Sequence, residues 1–198
     1  MRVSLMLTAM LLCAASIGAA HAQTVTPGFG RSTGESSRSS TPMSFAYDAQ
    51  HGQINANGIQ LNPTTIKSNS VSPTTGTITV VINIKVLSHF EGGTTYHCSV
   101  NAIGGLLDIF NGTVDGGIET ANGFATVTSG GTASCTLVMP YSWTLPQDAR
   151  GSTGLILAFG AAAVNPQSEV QRSTLQVDGI ENLPASGAAS KFTFNVAL

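Results

Sequence analysis

Residues 77–87, TITVVINIKVL, decide the fold. Ile78, Val80, Ile82, Ile84 and Val86 fall on one side of an extended chain. Thr77, Thr79, Asn83 and Lys85 fall on the other, with only Val81 out of pattern. Successive side chains of a strand point to opposite faces, so this is a strand with one face in a core. A helix is disfavoured, because β-branched side chains crowd the preceding turn.

The same period of two recurs along the chain. It predicts strands over residues 94–102 (Tyr96, Cys98, Val100 and Ala102 on one face), 132–139 (Ala133, Cys135, Leu137, Met139) and 191–198 (Phe192, Phe194, Val196, Leu198). Weaker strands are expected over 43–49, 52–57, 117–128 and 155–164. The last lies in a nearly continuous apolar run and reads as a strand covered on both faces. Asn57-Gly58, Asn111-Gly112, Asp115-Gly116, Asn122-Gly123 and Asp178-Gly179 are expected to be turns. No stretch combines a helical period with a cap. The expected fold is all-β, an immunoglobulin-like antiparallel β-sandwich of about eight strands with one disulfide.

Composition narrows the function classes. The chain has 198 residues, of which 9% are charged and 42% hydrophobic. A long coiled coil needs far more Glu, Lys and Arg. Eight Lys and Arg against ten Asp and Glu give no basic footprint, so nucleic acid is not an expected partner.

Residues 1–22 read as a signal peptide: Arg2, an apolar run, then Ala20-His21-Ala22 as a small-x-small cleavage site. The run is too short to span a bilayer, which takes about 20 apolar residues. Leu12 before Cys13 does not fit a lipidation site. Residues 23–42 read as a flexible Ser/Thr/Gly-rich tail, and 43–198 as the β-sandwich domain. Cleavage leaves two cysteines, Cys98 and Cys135, both on inward faces. An even count in an exported chain reads as a disulfide.

Residues suited to chemistry are sparse. His97 adjoins Cys98 on the opposite strand face, and His51 and His89 have no ligand spacing around them, so no metal site or cofactor is expected. Asp108, Asp115 and Glu119 form the local acidic cluster. With Asn111 they are weighed as calcium ligands or as a glycosidase pair, but the spacing matches no calcium loop. No nucleophile elbow, phosphate loop or dinucleotide motif occurs. Tyr141 and Trp143, same-face neighbours on an extended chain, are the candidate ligand-binding residues. Asn111-Gly112-Thr113 matches a glycosylation acceptor but reads as a turn.

An outer-membrane barrel would need aromatic girdles that one Trp and three Tyr do not supply. A pilus-like subunit that exchanges strands is closer, although residues 23–42 lack the alternating apolar side chains of a donor strand.

The expected protein is exported, to the periplasm, the cell surface or the medium. It is non-enzymatic, with a structural, adhesive or interaction role toward another protein or a surface polysaccharide. The alternative is a carbohydrate- or ligand-binding module using the Tyr141/Trp143 face. Intact mass of the protein recovered from its producing cell should give an N-terminus at Gln23. Retention of Met1 on a cytosolic protein contradicts the export reading.

Overall fold

A computed structural model describes residues 23–25, 43–48, 51–61, 73–108, 113–128, 130–145 and 153–198. The expected signal peptide, most of the expected tail, and Asn111-Gly112 lie outside them. Every element described is a strand: β1 (Gln23–Val25), β2 (Ser44–Asp48), β3 (Gln53–Asn57), β4 (Gln60–Leu61), β5 (Thr74–Lys85), β6 (Thr95–Asp108), β7 (Thr113–Phe124), β8 (Thr126–Thr128), β9 (Thr132–Trp143), β10 (Thr153–Val164), β11 (Val170–Asn182) and β12 (Ala188–Ala197).

They form three sheets: a small one in the order β1-β2-β3, a central one β11-β10-β6-β7-β4, and a four-stranded one β12-β5-β9-β8. The central sheet is covered on both faces at β10, which has no polar face. Leu155, Leu157, Phe159, Ala161 and Ala163 pack toward the four-stranded sheet with Ile78, Val80, Ile82 and Ile84 of β5 and Leu137 and Met139 of β9. Ile156, Ala158, Ala162 and Val164 pack the other way, with Phe45, Tyr47 and Ile54 of the small sheet. Removing each large aliphatic or aromatic side chain from water is worth about 1.5–3 kcal/mol. Neither face of β10 is tolerable without its cover.

The strongly alternating segments are strands as expected, and the apolar run at 153–164 is covered on both faces. The architecture departs from a plain antiparallel sandwich in three ways. First, β2 and β3 form a hairpin that builds a third layer. Gln23–Val25, at the start of the expected tail, pairs antiparallel with β2. Second, β12 runs parallel to β5, and β4 parallel to β7. Third, β11 is a long strand that the sequence period does not mark. Its apolar residues break period at Asp178-Gly179, where the register to β10 shifts between Ile156↔Ile180 and Ala158↔Val177. That dipeptide makes a bulge rather than a turn, and an extra residue moves later side chains to the other face.

Asp115-Gly116 and Asn122-Gly123 also lie inside a strand, paired with Leu106, Gly105, Ser99 and Cys98 of β6. Glycine serves there for space. A Cβ on Gly116 would sit 1.9 Å from the Gly104 carbonyl oxygen, and one on Gly123 would sit 2.9 Å from Leu137. The tight turns that glycine does make include Gly130-Gly131 between β8 and β9, with φ of +92° and +74°.

A polar seam fixes the small sheet on the central one. The Asn122 amide lies 2.6 Å from Ser99 Oγ and 2.9 Å from the Gly52 carbonyl oxygen. Asn101 Nδ2 donates to the Ile54 carbonyl at 3.4 Å. Tyr47 lies flat beside Gly160, fully buried, and its hydroxyl has no hydrogen-bond partner among the described residues.

Burial first, then the neighbouring Asp48 carboxylate, raise the Tyr47 pKa well above the ordinary 10.0. The folded state therefore keeps the phenol proton longer than the unfolded chain does. Stability is fully present below about pH 10 and falls as pH rises beyond it. Tyr47→Phe should leave denaturant stability at pH 7 unchanged or raised, since the hydroxyl it removes is unpartnered. It should also flatten the loss between pH 9 and about 11, read from urea unfolding at each pH.

Candidate functional site

The disulfide joins the two larger sheets. Cys98 on β6 and Cys135 on β9 are bonded, with Cα atoms 6.4 Å apart and a sequence separation of 37. Both side chains are buried. The strand periods place them there: Cys98 continues the Val100 and Ala102 face, and Cys135 the Ala133 and Leu137 face. In the chain-entropy account, closing such a loop stabilises by about 3–4 kcal/mol.

Tyr141 and Trp143 do share a face of β9, but that face is the core. They are 4% and 3% exposed, and their rings pack together with centroids 4.4 Å apart. The indole occupies a socket made by the absence of side chains. A Cβ on Gly104 of β6 would sit 1.9 Å from Trp143 Cζ3, and one on Gly117 of β7 would sit 2.1 Å from Cδ1. These two glycines are direct partners in the β6–β7 ladder. The Tyr141 hydroxyl closes over Gly76 in the same way, and burial raises its pKa. Trp143 Nε1 and Tyr141 Oη have no hydrogen-bond partner among the described residues. Neither ring presents a flat surface to solvent on which a sugar could stack.

The ionisable candidates are spread over β6, β7, the β2–β3 turn and the β5–β6 connection. Asp115 and Glu119 lie four residues apart on β7, so their Cα atoms are about 13 Å apart at about 3.3 Å per residue. The side chain of Asp108 is outside the described set. His97 is on the face of β6 opposite Cys98, as expected, and is half-buried beside Gly52 of the β2–β3 turn. It lies edge-on to Phe124 with centroids 4.6 Å apart and within 3.1 Å of Thr95 Oγ1. Burial lowers its pKa. His51 pairs with Asp48 at 2.6 Å in the β2–β3 turn, and His89 is exposed in the β5–β6 connection. Among the described residues no three His, Cys, Asp or Glu could hold one metal ion.

What remains is the outer surface of the four-stranded sheet. Thr75, Thr77, Thr79, Val81, Thr136, Val138 and Thr193 lie on it, with Lys85 and Lys191 as charged members. Val138 is 56% exposed. At one end of this sheet is a depression of about 590 Å³ lined by Asn83, Lys85, Thr132, Ser134 and Asn195 together with the Gly130-Gly131 turn. Asn83 Nδ2 donates to Asn195 Oδ1 at 3.2 Å across the β5–β12 ladder. Sequence reasoning missed this surface because threonine on the outer face of a strand carries no motif. Its meaning depends on which strands become neighbours.

Comparison with known proteins gives no assignment: no family model matches the chain, and no curated protein or solved structure matches it.

Trp143 and its socket should respond as a unit. Trp143→Ala should cost about 3–5 kcal/mol. Gly117→Ala should be severely destabilising beside Trp143 and milder beside Trp143→Leu, a non-additivity measurable in a double-mutant cycle. Additive effects would mean that the indole does not rest on the glycine.

Proposed function

We propose that the protein is an exported structural or interaction protein, acting at the cell surface or in the periplasm by contact rather than by catalysis. The observation that carries this reading is the broad outer face of the four-stranded sheet. It is nearly uncharged, rich in β-branched side chains and held rigid by the buried Cys98–Cys135 bridge. Interfaces are depleted of charge at their centres, and pre-ordered surfaces lose less entropy on association. The bridge supports export, since disulfides persist in oxidising compartments. An immunoglobulin-like arrangement is supported by a disulfide linking strands of two facing sheets, with the small third sheet as an addition.

A second reading, a carbohydrate- or ligand-binding module, is favoured by one observation, the depression beside Asn83, Lys85 and Asn195. Its amides, hydroxyls and one cation sit among Ile84, Val86, Ala133 and Val196, a mixed lining that suits a ligand with hydroxyl groups and an apolar face. The Tyr141/Trp143 face does not contribute, because both rings are enclosed.

Cell fractionation should find the protein outside the cytoplasm, accessible to added protease or released with the periplasm. The purified protein should turn over no common ester, peptide or glycoside. A hydrolytic activity that co-purifies, and is lost in Asp115→Ala or Glu119→Ala with the fold intact by circular dichroism, overturns the reading.

A further inference from the structure

The central and four-stranded sheets each end on a long strand, and the two edges are treated differently. On the central sheet, β11 carries Arg172, Asp178 and Glu181, is broken by the bulge at Asp178-Gly179, and has β1 lying against it. Charge, bulges and covering segments are the usual means of stopping a sheet edge from pairing with another chain. On the four-stranded sheet, β12 has none of the breaks. Its register to β5 is continuous from Ala188↔Gly76 to Ala197↔Lys85. It has no proline, and its one charge is Lys191.

The hydrogen bonds at its end show which groups are free. Leu198 N donates to the Lys85 carbonyl at 3.0 Å, and the Leu198 carbonyl accepts from Leu87 N at 2.6 Å. Leu198 therefore turns both groups toward β5. Alternate residues of a strand do the same, so Ala189, Lys191, Thr193, Asn195 and Ala197 turn theirs outward. None of these five has a backbone partner on that side among the described residues, and all five are exposed. On the inward face, Phe192 and Phe194 are only partly buried. Phe194 stacks on Phe159 at 3.8 Å, so the apolar layer stops short at this edge.

We propose that a second copy of this chain occupies the edge, β12 pairing antiparallel with β12 about Thr193 and joining two four-stranded sheets into one of eight strands. This rests on the interaction reading above and names its partner. The strand is complementary to itself in that register. Centred on Thr193, Ala189 meets Ala197 and Lys191 meets Asn195, so each of the five outward-turned residues faces another with groups to exchange. Phe192 then meets Phe194 of the other copy at a non-hydrogen-bonded position. There the strands come within about 4.5 Å, which extends the apolar layer across the join. A slip of four residues along one strand, with Lys191 facing Lys191, sets like charges opposite each other. Residues 26–42, by contrast, offer no alternating apolar set for the same edge.

Sedimentation velocity of the oxidised, processed protein over a concentration series should read a monomer–dimer equilibrium. Hydrogen exchange should show the amides of Ala189, Lys191, Thr193 and Asn195 slowing as the dimer forms. Thr193→Pro removes an outward N–H without touching the β5 ladder, and should leave monomer at every concentration. Thr193→Lys, which places two cations on the two-fold axis, should weaken association at least tenfold. It keeps the test decisive if the proline variant fails to fold. Monomer throughout the series for the unaltered protein overturns the proposal, as does a dimer that both variants leave intact. A monomeric result leaves the cellular location untouched, and a cytosolic location leaves the sedimentation result untouched, so the two readings fail separately.

Discussion

The structure depends on β10 having no polar face. Eleven of its twelve residues, from Gly154 to Val164, are buried, and their side chains alternate strictly between two cores. A strand of that kind cannot stand at a protein surface, where each apolar side chain left in water forfeits about 1.5–3 kcal/mol. It also cannot form the outer layer of a two-sheet sandwich, which keeps one face wet. Two covers are required, and they differ in strength. The four-stranded sheet is bolted on by a disulfide and a continuous aliphatic core. The small sheet is held by Phe45, Tyr47 and Ile54 and by the Ser99, Asn101 and Asn122 seam. The second cover lacks a covalent link and carries Tyr47 with an unpartnered hydroxyl. It is the layer expected to open first when the fold is stressed.

Volume is the second constraint. The chain holds its largest side chains, Trp143 and Tyr47, against positions where the facing strand has no side chain at all. Close-packed interiors admit few voids, so a bulky ring on one sheet requires an absence on the other. The run Gly104-Gly105 on β6 opposite Gly117-Gly116 on β7 is such an absence. It explains why so much glycine sits inside strands, where it ordinarily weakens them.

This is also where the sequence was least legible. Strands whose aliphatic residues alternate, such as β5, β9 and β12, could be read directly, as could the inward facing of both cysteines. That facing follows from their neighbours' period, and the Cys98–Cys135 bond agrees with it. The double burial of β10 was legible because an unbroken apolar run of eleven residues has few other soluble homes. Asp115-Gly116, Asn122-Gly123 and Asp178-Gly179 misled because a turn dipeptide and a packing glycine look the same in one dimension. Only the facing residue distinguishes them. Trp143 misled for the same reason. Its two-residue spacing from Tyr141 placed both rings on one face, but which face depended on Gly104 and Gly117, far away in sequence. The third layer was hidden because β2 and β3 are short, and nothing in five-residue segments says which sheet they will cover.

The same dependence on neighbours governs the surface. The outer face of the four-stranded sheet is a row of residues individually without significance, and becomes a feature only through the β12–β5–β9 ladder order. That order sets Thr193, Val81 and Thr136 side by side, and likewise Lys191, Thr79 and Val138. It also leaves a parallel strand at the rim. A parallel partner gives β12 no hairpin turn to hold it to β5. Its position rests on the ladder itself, on Val196 and Leu198 buried at one end, and on Phe194 stacked over Phe159. A strand held by its ladder on one side, and with no strand beside it on the other among the described residues, gains from any neighbour that completes its hydrogen bonds. The charges and the bulge on β11 show that this chain can close an edge, so the contrast between its two edges is a property of the sequence and not a general feature of sheets.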